Sequence, residues 1–574
     1  MDTGQKKFVL LLSALAVACW LLSPLAAGLV WQPRMAAPRS PRFDGGRAYA
    51  AALEYAARYP RRPLGSIAAR QSTAFFKESL APLGYRVEYA HFDATVAGHR
   101  QVGRNVLAFK KGELEETIAV VAHYDTAVHA AEAYPGEGLG VAVLLELARV
   151  FSEEPTRRGI LFVAVDGEKA GILGALDLAR SFGRRSAPAA AVSLGGAAAG
   201  GLSGIALACV GLDRGYAPAW LRLAARAAAD AEGLDVAEPS GFEEHLERSY
   251  QLPATGAGAF LGAGIPAIGL EGITAGAPHA RSGLDFSRPA GEGLEPEGIG
   301  KFGRAAERLV AALAGAPSLP LESPGAFQIR KGRYLPAPLA VLLHLISFAP
   351  FAAAFLFHWR RYNEDFGVEL FARETVFFLG TWIPFLVVYA GIAFCWSLRL
   401  LPRYSLYPPP AGDPIMESPD WRITAYVLLA GAAAAVLLYF LGRYLTRKVP
   451  RAPFYPVKLF LLLVLVLVVA LSLAANSYWA VTFLWLPSLV WSLAGCAAAP
   501  GARAANRVLV LAAGIPALAA LVATARAAGL GWNAVWFHLL ALSTGLFRFS
   551  TYALATAAAA LGIRFFFIQS RPPR

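Results

Sequence analysis

The chain has 574 residues, 56% of them hydrophobic and 16% charged, with a mean hydropathy of +0.46. This is too apolar for a wholly water-soluble protein and too mixed for one immersed entirely in a bilayer. The net charge of +13 sits largely beside apolar stretches, so no nucleic-acid partner is needed to explain it.

Residues 8–30, FVLLLSALAVACWLLSPLAAGLV, are uncharged and follow Lys6 and Lys7. The stretch is long enough to span a bilayer, and its length favours a retained anchor over a cleaved signal segment. Residues 1–30 are therefore expected to form an N-terminal transmembrane anchor. Residues 31–335 carry charges, Gly/Pro turns and short alternating elements, as a water-exposed domain does. From 336 to 574 apolar stretches dominate, roughly 336–357, 375–397, 423–442, 459–475, 479–498, 508–528 and 549–568. They are expected to form an all-α bundle of about seven membrane helices. The stretch 533–547 belongs either to a long last helix or to the interface.

Lys and Arg favour the cytoplasmic ends of such helices. Arg360, Arg361, Arg373, Arg443, Arg447, Lys448, Arg451, Lys458, Arg503, Arg507, Arg571 and Arg574 fall on the same side as Lys6 and Lys7, against chiefly Arg399, Arg403 and Arg422 opposite. Both termini are then expected inside, and the domain 31–335 outside the cytoplasm. Of four cysteines, Cys19, Cys395 and Cys496 lie in predicted spans. Cys209 is alone in the domain, which excludes an internal disulfide and a Cys-based zinc cluster there. Within IALACV it reads as part of a buried strand rather than as a nucleophile.

The domain alternates strand and helix. TIAVVAH, RGILFVAV, PAAAVSL and IPAIGLEG read as strands, and GLGVAVLLELARVFSEE, AGILGALDLARSF, YAPAWLRLAARAAADAEG and GIGKFGRAAERLVAALAG as helices. The expected fold class is α/β, a mostly parallel sheet flanked by helices. Ligands bind such sheets beyond the carboxyl ends of the strands. Three polar segments fall there: HYD at 123–125, DGEK at 166–169 and PHARSGLD at 278–285. A zinc hydrolase needs imidazole and carboxylate ligands, plus a carboxylate to take a proton from metal-bound water. His123, Asp125, Glu168 and His279 are of those types, with Glu168 suited to be the general base and Asp125 to orient His123.

Residues 118–315 resemble the M28 family of zinc aminopeptidases, through His123-Tyr124-Asp125 after a strand, GVAVLLELAR at 140–149, EKAGILGA at 168–175, FLGAGIPAI at 260–268 and the late His279. The resemblance implies two zinc ions on an α/β sheet. It also shows departures. Gly136, with Glu137 beside it, stands where the family has its metal-bridging Asp; Lys169 replaces a ligating Glu; Gly195 replaces an Asp; and TGAGAF lacks the usual polar triplet. Of the five ligands implied, His123 and His279 remain. An ammonium has no lone pair to give a metal and repels a dication, so Lys169 is expected to replace the missing metal charge beside Asp125 or Glu168.

No cofactor is the first expectation, and the function expected is binding or positioning a peptide or lipid-linked partner without hydrolysis. The whole plan, an anchor followed by an M28-like domain and about seven helices, resembles the attachment subunit of the GPI-anchor transamidase. That resemblance implies a partner subunit and contact with membrane lipid. A second reading is an active aminopeptidase using one zinc held by His123, His279 and Glu137, with Glu168 as base. The third is a transporter with an accessory domain, for which His344, His538 and Arg548 would be the intramembrane ionisable groups.

Overall fold

The computed structural model describes residues 3–26, 40–127, 138–182, 187–196, 202–213, 215–253, 255–274, 295–320, 325–406, 414–448, 452–495, 500–527 and 530–568. Glu137, Gly136, His279 and Cys496 lie outside the described residues. Helix α1 (Thr3–Ala26) precedes α2 (Gly45–Arg58) and α3 (Ile67–Leu80). Then follow β1 (Val87–Val96), β2 (His99–Lys110), β3 (Thr117–His123), α4 (Leu139–Ser152), β4 (Gly159–Val165), α5 (Leu173–Phe182) and β5 (Ala190–Leu194). Next come β6 (Leu202–Ala208), α6 (Ala219–Asp230), β7 (Asp235–Ala237), α7 (Phe242–Tyr250), α8 (Ala257–Gly262), β8 (Ala267–Thr274) and α9 (Pro296–Gly315). A hairpin of β9 (Phe327–Arg330) and β10 (Arg333–Leu335) leads to the apolar helices.

The eight-stranded sheet has the order β1-β2-β4-β3-β5-β8-β6-β7. Its centre is parallel: β3 pairs with β4 and β5, and β5 with β8. The run TIAVVAH is buried on both faces, as a central parallel strand requires. Three departures from parallel order were not legible in the sequence. β1 lies antiparallel to β2, β2 to β4, and β6 to β8. The order places a topological switch at β3, from which the chain proceeds to β4 on one side and β5 on the other. Helices α2, α4, α6 and α9 pack on one another, and α5 packs on α8. Within α4 every residue from Leu139 to Ala148 is buried.

The remaining helices are α10 (Ala337–Tyr362), α11 (Val368–Ser397), the single turn α12 (Pro414–Glu417), α13 (Trp421–Leu445), α14 (Phe454–Ala475) and α15 (Ser477–Leu493). They continue with α16 (Pro500–Ala512), α17 (Ile515–Ala527), α18 (Ala534–Thr544) and α19 (Phe549–Ile568). Among the described residues seven helices are long and apolar enough to cross a membrane: Thr3–Leu25, Ala337–Tyr362, Val368–Ser397, Trp421–Leu445, Phe454–Ala475, Gly501–Ala523 and Phe549–Ile568. At 17 residues α15 is shorter, with a length of about 25 Å. The expected span at 508–528 begins earlier and is broken near Gly514. The segment 533–547 contains a separate helix, α18, which Gly545 ends in the left-handed conformation at φ 78°.

The sheet domain is bound to the helices at several places. Asn476 Nδ2 donates to the Arg248 carbonyl at 2.9 Å, and the Ser249 and Thr482 hydroxyls meet at 2.9 Å. At the β1–β2 turn, Gly98 N–H donates to the Arg403 carbonyl at 2.8 Å and Ser405 N–H to the Thr95 carbonyl at 2.8 Å. Arg548 pairs with Asp213 at 2.7 Å, which puts it against the domain rather than on an intramembrane path. Apolar packing runs from the sheet without a break into Ile392, Leu401, Met416, Trp536 and Leu540.

Candidate functional site

The carboxyl ends of β3, β4, β5 and β8 meet at the candidate site. His123 closes β3, and two residues later Asp125 is fully buried. Its Oδ1 accepts the N–H of Glu168 at 3.0 Å, and its Oδ2 accepts the N–H of Lys169 at 2.8 Å. His123 Nδ1 lies 3.6 Å from Asp125 Oδ1 and 3.3 Å from the Asp125 carbonyl. Asp125 thus orients His123 while clamping the loop that follows β4.

That loop is strained. Gly167 and Gly171 have φ of 70° and 109°, and Ile172 has φ of 55°. A β-branched residue with positive φ is an outlier and persists where its surroundings over-determine it. Here the Glu168, Gly167 and Asp166 carbonyls accept from Ile172, Leu173 and Gly174. The arrangement turns Glu168 inward. Its Oε1 accepts the Gly256 N–H at 2.7 Å, whereas its buried Oε2 has no partner among the described residues.

Lys169 follows at the rim, half-buried. The expected pairing of its ammonium with Asp125 or Glu168 is not seen: it makes no salt bridge to a carboxylate among the described residues, and its backbone N–H is what Asp125 accepts. Its charge nevertheless acts on His123, Glu168 and Glu271. Burial pushes the Glu168 carboxyl up, helped by Asp125 and opposed by His123. Burial pulls the His123 imidazole down, as does Lys169, but Asp125 and Glu168 outweigh them and its pKa ends above the ordinary value. Beneath the site Asp166 is pushed up to about 7 by burial and then by Asp125. Its Oδ2 accepts from Arg104 N–H at 3.2 Å, while Oδ1 is unpartnered among the described residues.

Glu271 was missed in the sequence. It comes from β8, and its carboxylate lies directly over Gly195 at the end of β5. Burial pushes it up to about 7 against the pull of Lys169 and His123. A lone acid inside the apolar run IPAIGLEG was the available signal, since a charge in a central strand needs a reason.

Residues 105–275 match the model of Peptidase family M28. The M28-like segment is also similar to the alkaline phosphatase isozyme conversion protein of Escherichia coli (strain K12), 30% identical over 142 residues. That match covers 21% of this chain and 41% of the relative, so the chain spans about two fifths of the curated protein's length. Among solved structures, a glutaminyl cyclase from an Acidobacteriales bacterium is 20% identical, with 49% of this chain and 99% of that one covered at a TM-score of 0.39. BSAP, a zinc aminopeptidase from Bacillus subtilis, is 14% identical over 49% of this chain and 98% of its own, at a TM-score of 0.38. Within the M28-like domain His123, Asp125, Glu168, Lys169 and Glu271 come together. Among the described residues no group of three His, Cys, Asp or Glu side chains is placed to hold a metal ion.

Proposed function

We propose that the chain is a membrane-anchored M28 peptidase-like protein whose site does not hold a zinc pair, and that it binds or positions a peptide or lipid-linked partner rather than hydrolysing it. The observation that carries this reading is the placement of Lys169. A side chain without a lone pair for a metal follows Glu168 directly, on the loop that Asp125 clamps. Gly195 offers no donor at the end of β5, and its side-chain space holds another residue's carboxylate. These residues do not fit a dinuclear zinc centre. Lys169 supplies a positive charge that acts on Glu168, Glu271 and His123 from the rim, without a salt bridge to any of them.

The proposed membrane arrangement rests on the same contacts that bind the domain to the helices. α1 enters the domain and α10 leaves it. The 398–406 loop, Asn476 and Arg548 all touch the domain, so α11, α14 and the α16–α17 pair each return to its side. On this count α15 also crosses, giving eight passages with both termini on the face opposite the domain. The Lys/Arg bias makes that face cytoplasmic.

Full-length protein in detergent tests the reading by elemental analysis and by hydrolysis of aminoacyl arylamides with and without a chelator. The expected result is no stoichiometric zinc pair and no chelator-sensitive hydrolysis. Chelator-sensitive cleavage would overturn it in favour of one zinc on His123, His279 and Glu137, with Glu168 as base.

A further inference from the structure

A Cβ built on Gly195 would stand 1.8 Å from Glu271 Oε1 and 2.0 Å from its Cδ and Oε2. Real side chains do not approach so closely, so the Glu271 carboxylate fills the volume in which any side chain at 195 would begin. The ladder around the two residues fixes their backbones side by side. Gly195 N–H donates to the Leu270 carbonyl at 2.9 Å, and Gly272 N–H to the Gly196 carbonyl at 3.3 Å. The Glu271 backbone is therefore bracketed by hydrogen bonds to the strand its side chain leans across, and a glycine is what permits so close an approach. The second acid of the site, Glu168, is held against Gly256 at the start of α8. The same construction on Gly256 lies 3.2 Å from Glu168 Oε2 and 3.5 Å from Ser193 Oγ. Ser193 and Gly195 are two residues apart and so point to one face of β5. Glu271 occupies that face at Gly195, and Lys169 acts electrostatically on both Glu168 and Glu271.

We propose that Gly195 and Glu271 are a matched pair that excludes metal from this site: the acid carried by β8 takes the space that a ligand carried by β5 would need. The proposal rests on the reading of a zinc-free site and names what keeps it so. Replacing Lys169 and Gly195 by acids is then insufficient, because Glu271 still blocks the restored ligand.

The test uses full-length protein in detergent, loaded with zinc chloride and desalted, with zinc per chain and the melting temperature both measured. Gly195→Ala should lower the melting temperature, and Gly195→Ala with Glu271→Ala should recover it. Lys169→Glu with Gly195→Asp should stay zinc-poor, whereas adding Glu271→Ala should raise retained zinc roughly tenfold or more, since a freed carboxylate can ligate. Equal zinc in the double and triple variants, high or low, overturns the proposal, as does a melting temperature of Gly195→Ala that Glu271→Ala leaves unchanged. Zinc in the wild type that Glu271→Gln removes would make Glu271 a ligand and overturn it too. A zinc pair in the wild type that is indifferent to Glu271 would sink the zinc-free reading and this proposal together, whereas a zinc-free wild type whose double variant loads fully would sink the proposal alone.

Discussion

Asp125 shows how one buried side chain can organise a site through the backbone around it. Both its oxygens are used by backbone N–H groups, and it is fully buried. Asp125→Ala would leave two buried donors unsatisfied, at about 1–3 kcal/mol each. The melting temperature should fall, and Asp125→Asn, which keeps one acceptor, should fall less; equal losses would show that the clamp is not electrostatic. Asp166 carries a pH signature. Its folded pKa of about 7 lies above the ordinary unfolded value of about 3.9, so the folded state holds the proton more tightly between them. Stability from this group is therefore full below about pH 4 and lost as pH rises through 7. Asp166→Asn should flatten that part of a melting-temperature profile, and an unchanged slope would assign it to other groups.

At the scale of elements, a buried ionic network ties the domain's later segments together. Arg222 of α6 pairs with Glu238 at 2.6 Å and with Glu244 of α7 at 3.0 Å, and donates to Gln328 of β9 at 2.8 Å. Arg248 joins Glu244 at 2.7 Å, and its guanidinium lies over the Tyr478 ring of α15 at 5.2 Å. All three side chains of the Arg222, Glu238 and Glu244 group have no exposed area. Removing Arg222 takes one of two guanidinium partners from each buried carboxylate, Glu244 keeping Arg248 and Glu238 keeping Arg226, a loss of about 2–3 kcal/mol. The pair Arg100–Asp93 is a control: with side chains 77% and 58% exposed, it should contribute at most about 1 kcal/mol. Arg222→Ala should thus lower the melting temperature several-fold more than Arg100→Ala. Similar shifts would mean that the network is not buried in the folded protein.

At the scale of the whole molecule, the apolar core of the sheet runs on into Ile392, Leu401, Met416, Val427, Trp536 and Leu540, while α10, α14, α15 and α19 pack around a second apolar cluster of their own. A polar set lies among the helices themselves. Lys458 Nζ donates to the Ser492 and Ala494 carbonyls at 2.6 Å each, and Arg564 pairs with Glu374 at 2.6 Å. The first of these closes the C-terminal end of α15, which suits a cation. The eight-passage arrangement is tested with single cysteines in a chain freed of its own four. A membrane-impermeant thiol reagent on intact cells should label Glu88→Cys and Leu398→Cys but not Lys448→Cys. Labelling of Lys448→Cys together with Leu398→Cys would remove the passage by α13, and the converse pattern would invert the whole topology.

Much of this architecture was legible because hydropathy and periodicity are local. The βα alternation from TIAVVAH to GIGKFGRAAERLVAALAG, the long apolar helices, and the position of His123, Asp125 and Glu168 at strand ends all follow from residues near one another in the chain. What the sequence could not settle depends on which strands become neighbours. The antiparallel placement of β2 and β6, the Arg222 network across residues 222, 238, 244 and 328, and the overlap of Glu271 with Gly195 join positions whose sequence separation carries no periodic signal. A glycine at the end of one strand reads as a lost donor, and an acid in another reads as an anomaly. Only their adjacency in the sheet, set by packing of the whole domain, turns the two into one feature of the site.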